Sequence, residues 1–149
     1  MKIQRWLLLF SAIALFWTAM PAANAASQTQ SGNLKPVQVF DVKAGKVVKT
    51  VPNDAQFQQF ASAWLKGVTG LAPQATTEDK CGYVYRIPLA KPTDVTAGKL
   101  QLQVEDVFLF YCPGQPALLL IFDVERRPYL LTFQTDLQPF LKKIGIPAV

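Results

Sequence analysis

Between positions 81 and 134 the apolar residues come in four dense runs, CGYVYRIPL, KLQLQVEDVFLFYC, PALLLIFD and PYLLTFQ, separated by Pro, Gly and charged residues. β-branched and aromatic residues in runs of this length predict four successive β-strands. In the second run Leu100, Leu102 and Val104 alternate with Gln101 and Gln103. The alternation changes phase at Glu105-Asp106, after which Val107, Leu109 and Tyr111 carry it. A β-bulge there keeps all six side chains on one face, whereas a turn makes two short strands, and both readings stand. Ala117 to Phe122 is apolar throughout, the pattern of a central strand covered on both faces. Upstream, Val37–Phe40 and Lys46–Val51 predict two short strands around a turn that Gly45 can close.

One helix stands out. Phe57, Phe60, Ala61, Trp64 and Leu65 fall on a single stripe, with Gln58, Gln59, Ser62 and Lys66 on the other side. Asn53 is placed to cap it, with Gln56 reaching back as in a capping box, Asp54 in the first turn and Gly67 to stop it. A second, short helix follows Asp136, with Leu137, Phe140, Leu141 and Ile144 on its apolar side and Gly145 at its end. Val68–Lys80 and Ala90–Gly98 lack a period and are expected as loops. The fold class is therefore α+β: a single, mainly antiparallel sheet in the order ββαββββα, with one long helix packed on a face and one disulfide.

If Cys81 faces Cys112, positions summing to about 193 oppose each other in the hairpin they bracket. Tyr83 then meets Phe110 and Tyr85 meets Phe108, forming an aromatic row on one face. Such a row serves either as core beneath the helix, the reading taken, or as a binding surface for sugar rings or an apolar partner.

The N-terminus belongs to a different class. Lys2 and Arg5 precede an apolar run from Trp6 to Met20, and Ala23-Asn24-Ala25 is a small-x-small cleavage site. The run is shorter than the ~20 residues that span a bilayer. Residues 1–25 are thus expected as a signal peptide cleaved near Ala25-Ala26, residues 26–35 as a flexible lead-in and 36–149 as a single domain. Losing Lys2 and Arg5 lowers the formal charge from +5 to +3. That surface is too weakly basic to argue for nucleic acid. In an exported chain two cysteines read as a disulfide, Cys81 to Cys112.

Chemistry is sparse. The chain has no His, which removes Ser-His-Asp and Cys-His sets and the commonest metal ligand. Ser27 and Ser31 precede the domain, Ser62 lies on the polar side of the helix, and no Gly-rich phosphate loop occurs. Asp41, Glu105, Asp106, Asp123 and Glu125 remain as acids from different strands and turns. No cofactor and no metal are expected.

The segments VFDVKAGKVVKTVPN, WLKGVTGL, GYVYRIPL and LLLIFDVERRPYLLTF together resemble a family of small exported proteins of unknown function from spore-forming Gram-positive bacteria. The resemblance runs from about Val39 to the last helix. It implies an envelope or extracellular location and brings no activity or site residues. The function expected is a non-catalytic binding or structural module. Its partner would be an envelope or extracellular protein or a cell-wall polymer, with no nucleic acid and no membrane in the mature form. The alternatives are an inhibitor-like domain acting through Ala90–Gly98 or Val68–Lys80, and a carboxylate-only hydrolase.

Overall fold

The computed structural model describes residues 34–73 and 82–145. Two strands, β1 (Val37–Asp41) and β2 (Lys46–Val51), form a hairpin whose turn is closed twice at Asp41. The Asp41 carbonyl accepts from Gly45 N at 2.9 Å and its carboxylate from Ala44 N at 2.8 Å. Gly45 takes φ +65°, a conformation that costs a residue with a Cβ.

Helix α1 (Ala55–Lys66) follows. Its cap is Asp54, whose carboxylate accepts from Phe57 N at 3.0 Å; Asn53, expected in that role, is buried one residue earlier. The helix has 12 residues, so the long helix expected is of ordinary length. Its stripe is as read: Phe57, Ala61, Trp64 and Leu65 are buried and Phe60 packs against them.

The chain leaves α1 at Gly67, where a Cβ would strike the Gln134 carbonyl oxygen. It enters β3 (Val68–Leu71), a short strand in a stretch expected as loop. Then come β4 (Tyr83–Ala97), β5 (Leu100–Tyr111), β6 (Leu118–Phe122), β7 (Pro128–Phe133) and the helix α2 (Gln138–Ile144). The seven strands form one sheet in the order β2-β1-β4-β5-β6-β7-β3, every neighbouring pair antiparallel. The α+β class and the antiparallel sheet are as read from the sequence; the order gains β3.

Phe140 of α2 sits at the centre of the core. Its ring lies 4.8 Å from Trp64, 5.0 Å from Tyr85 and 6.1 Å from Phe57, in edge-to-face contacts. Lys143 holds α2 to the start of α1: its Nζ donates to Asp54 at 2.6 Å and to Gln56 at 2.9 Å and lies 4.7 Å from the Phe57 ring centre. At the far end Lys49 Nζ donates to the Ile144 carbonyl at 2.6 Å, meeting the negative end of the helix.

Two expectations about the hairpin change. First, β4 continues to Ala97, so residues expected as the loop Ala90–Gly98 are mostly strand. The pairing shifts between Pro88 and Thr93, where β4 carries extra residues against Val104–Asp106 of β5. β5 is one strand through Glu105-Asp106, so the turn reading falls; the irregularity is there, but its extra residues belong to β4. The irregularity is served by side chains. Asn53 Nδ2 donates to the Pro88 carbonyl at 2.8 Å and to that of Lys35, and Gln58 donates to Pro88 and accepts from Ala90 N.

Second, the register is one residue away from that expected. Tyr83 pairs with Tyr111, Val84 with Phe110, Tyr85 with Leu109 and Arg86 with Phe108. Side chains alternate between faces, so this slip divides the aromatic row. Tyr83 and Tyr85 lie on the helix-covered face, while Phe108 and Phe110 lie on the other. Cys81 is outside the described residues, and so is its pairing with Cys112.

Candidate functional site: the open face of the sheet

Both helices pack on one face of the sheet. On that face Val39, Tyr85, Leu109, Leu119 and Leu131 form a row across five strands, each 0–1% exposed. Burial among Tyr83 and Tyr111 pushes the Tyr85 phenol well above its ordinary range. Tyr85 is therefore core and presents nothing to a ligand.

The other face carries rows of similar chemistry with no layer of the described residues over it. One row runs Phe40, Val84, Phe110, Leu118; the next runs Gln38, Arg86, Phe108, Leu120, Leu130. Phe40, Phe110 and Phe122 are 37%, 38% and 37% exposed. Strand β6 was expected to be covered on both faces; it buries Leu119 and Ile121 on one side only. Of the four aromatic residues singled out in the sequence, Phe108 and Phe110 belong to this face. Phe40 and Phe122, which the reading passed over, complete it. The signal that finds them is the pairing register, since an apolar strand shows no period that separates its two sides.

An open groove of about 550 Å³ lies at one end of this face. Phe108 and Phe122, packed edge to face at 5.7 Å, line it together with Val124. Its charges are Lys35, Arg86 and Arg126 against Glu105, Asp106 and Asp123. Arg86 spans the groove wall: its Nε donates to Asp106 at 3.0 Å, its Nη1 to Gln38 at 3.3 Å, and its guanidinium lies 5.9 Å from the Phe108 ring centre.

Comparisons with family models, curated proteins and solved structures find no match for this chain. The chemistry of the site must be read from its own geometry.

The fold brings Asp123 to the adjacent pair Glu105-Asp106 at the groove; Asp41 and Glu125 do not line it. Asp123 is buried and organises the β6–β7 turn. Its carboxylate accepts from Glu125 N and Arg127 N at 2.9 Å each, from Arg127 Nε at 2.7 Å and from the Tyr129 hydroxyl at 3.2 Å. Burial pushes this carboxyl up, but the hydrogen bonds and charge of Arg127 and the Glu125 amide outweigh it and hold it below the usual carboxylate value. A glycosidase-type pair needs one carboxyl that keeps its proton. Asp123 is displaced in the opposite direction, and Asp106 is tied to Arg86. Among the described residues no group of three or more His, Cys, Asp or Glu is placed to hold a metal, and no helix is long and apolar enough to cross a membrane.

Proposed function

We propose that this chain is an exported, non-catalytic binding or structural module of the cell envelope, working through the open face of its sheet. The observation that carries the reading is the contrast at that face: half-exposed phenyl rings beside a groove whose central acids are occupied by arginine and by backbone amides. The signal-like N-terminus supports export, with the mature chain beginning at Ala26, and N-terminal sequencing of secreted protein tests it. Cys81 and Cys112 are proposed to be bonded. Closing a loop of this length stabilises by roughly 3–4 kcal/mol in the chain-entropy model, and two reactive thiols in non-reduced, denatured protein would refute the bond. The same reading places the chain with the small exported proteins it resembles.

The test is retention of exported protein on purified cell wall and on envelope extract. Phe108→Ser and Phe122→Ser should lose retention while keeping the far-ultraviolet circular dichroism of the parent. Equal retention by both variants removes the open face from the function.

The convergence of Asp106, Asp123 and Glu105 favours a second reading, a carboxylate-only hydrolase. Turnover on a glycan or ester panel, abolished by Asp106→Asn or Glu105→Gln in a folded variant, would establish it in place of the first. For the inhibitor-like alternative, most of the segment expected as the loop Ala90–Gly98 is strand, with Thr93–Ala97 paired to Leu100–Val104 of β5; residues 74–80 of the other segment lie outside the described residues.

A further inference from the structure

Resting on the binding-module reading, we propose that the occupant of the open face is a second copy of this chain, packed face to face about a two-fold axis. A sheet face carrying rows of Phe, Leu and Val is the half of a sandwich that a second sheet covers at ~10 Å. An isologous contact requires a patch complementary to itself, and the charges of this one are. The groove has three basic and three acidic side chains, so it is neutral although the exported chain, without Lys2 and Arg5, carries +3. A face built for a polyanion would share or exceed the basic excess of the chain.

Three of those charges, Lys35, Glu105 and Arg126, make no ion pair among the described residues, and Glu105 and Arg126 are of opposite sign. Arg126 holds φ +62°, the left-handed region that glycine occupies freely and arginine seldom does. Keeping a long cation there, beside a Val124 that is 77% exposed, places both side chains of the turn at the groove. The two-fold pairs Arg126 of one copy with Glu105 of the other and seats Val124 on the phenyl rows.

The size of the patch sets the strength of the contact. Its apolar rows span five strands, roughly 20 Å across and about 15 Å along. Even with the groove the face falls short of the ~800 Å² per partner of a standard interface. The dimer is therefore reversible. Pairing through an edge strand, β2 or β3, is the competing geometry, and Lys46 guards the first of these.

Sedimentation equilibrium of the exported chain from about 1 µM to about 500 µM tests the proposal. The mass should rise from one chain to two with concentration. Phe110→Ser should weaken association at least ~10-fold, and so should the exposed charge reversals Glu105→Arg and Arg126→Glu, which leave the core untouched. The double reversal Glu105→Arg with Arg126→Glu should restore it, because the pair is rebuilt across the axis. A single-chain mass at every concentration overturns the proposal. So does a dimer that survives these changes and is lost on Val48→Lys, which would place the contact at the β2 edge. Either result leaves the binding-module reading standing, since that reading falls only if wall and envelope retention is unaffected by Phe108→Ser and Phe122→Ser.

Discussion

The two faces of this sheet are built from nearly the same side chains and meet opposite fates. Leu109 and Phe110 are neighbours on β5; Leu109 is fully buried beneath the helices, and Phe110 is half open to solvent. Phe140 and Trp64 fill one side, and among the described residues no element covers the other. Hydrophobicity thus specifies that a segment is strand, while the helices decide which of its faces is core. An apolar face left over after the helices are placed is free to meet a partner.

The largest effect is expected on the covered side. Trp64→Ala should cost ~3–5 kcal/mol in urea unfolding, since Trp64 is fully buried against Phe140 and Phe133. Trp64→Phe should cost clearly less, because it also removes an indole Nε1 with no hydrogen-bond partner among the described residues. An unchanged midpoint for Trp64→Ala would remove it from the core. Leu109→Ala should follow at about 3 kcal/mol, against about 1 kcal/mol or less for Phe110→Ala measured at low concentration. Equal costs would mean that the two faces are not different.

Between these lies Asn53→Ala, at about 2 kcal/mol by the same unfolding assay. It withdraws the buried amide that serves Lys35, Pro88 and Gln58 where β4 departs from regular pairing. A neutral result would show that the irregular strand holds itself.

The smallest effect is one of slope. The Asp123 carboxyl is depressed in the folded chain, so its contribution is present above its unfolded value, near 3.8, and is lost as pH falls through the lower folded value. Stability of the parent should therefore decline more steeply with acidification below about 3.8 than that of Asp123→Asn. Parallel curves would detach Asp123 from acid stability.

Much of the covered side was legible, because an amphipathic helix declares itself by period: the stripe from Phe57 to Leu65 and the phase change at Glu105-Asp106 both appear as read. The open side was not. Its aromatic members depend on the hairpin register, which Cys81 facing Cys112 places one residue away, and a slip of one residue exchanges the faces. Strand β3 leaves no mark in the sequence, because Val68-Thr69-Gly70-Leu71 has no period and is strand only through its pairing with β7. The run through Pro88 and Pro92 reads as loop until the amides of Asn53 and Gln58, from another element, are counted among the partners of its backbone. In each case the missing information was long-range pairing.

Phe140 has a further consequence, one of timing. It comes after every strand in chain order, and the core closes around it. A polypeptide that emerges N-terminus first, from a ribosome or a translocation channel, presents its sheet and first helix before the ring that joins them. Until α2 arrives, Trp64, Phe57 and Tyr85 share a vacant notch, and both sides of the sheet are greasy rather than one. The nascent molecule is then at its most adhesive, and docking of a seven-residue helix, pinned by Lys49 and Lys143, is the event that ends its exposure.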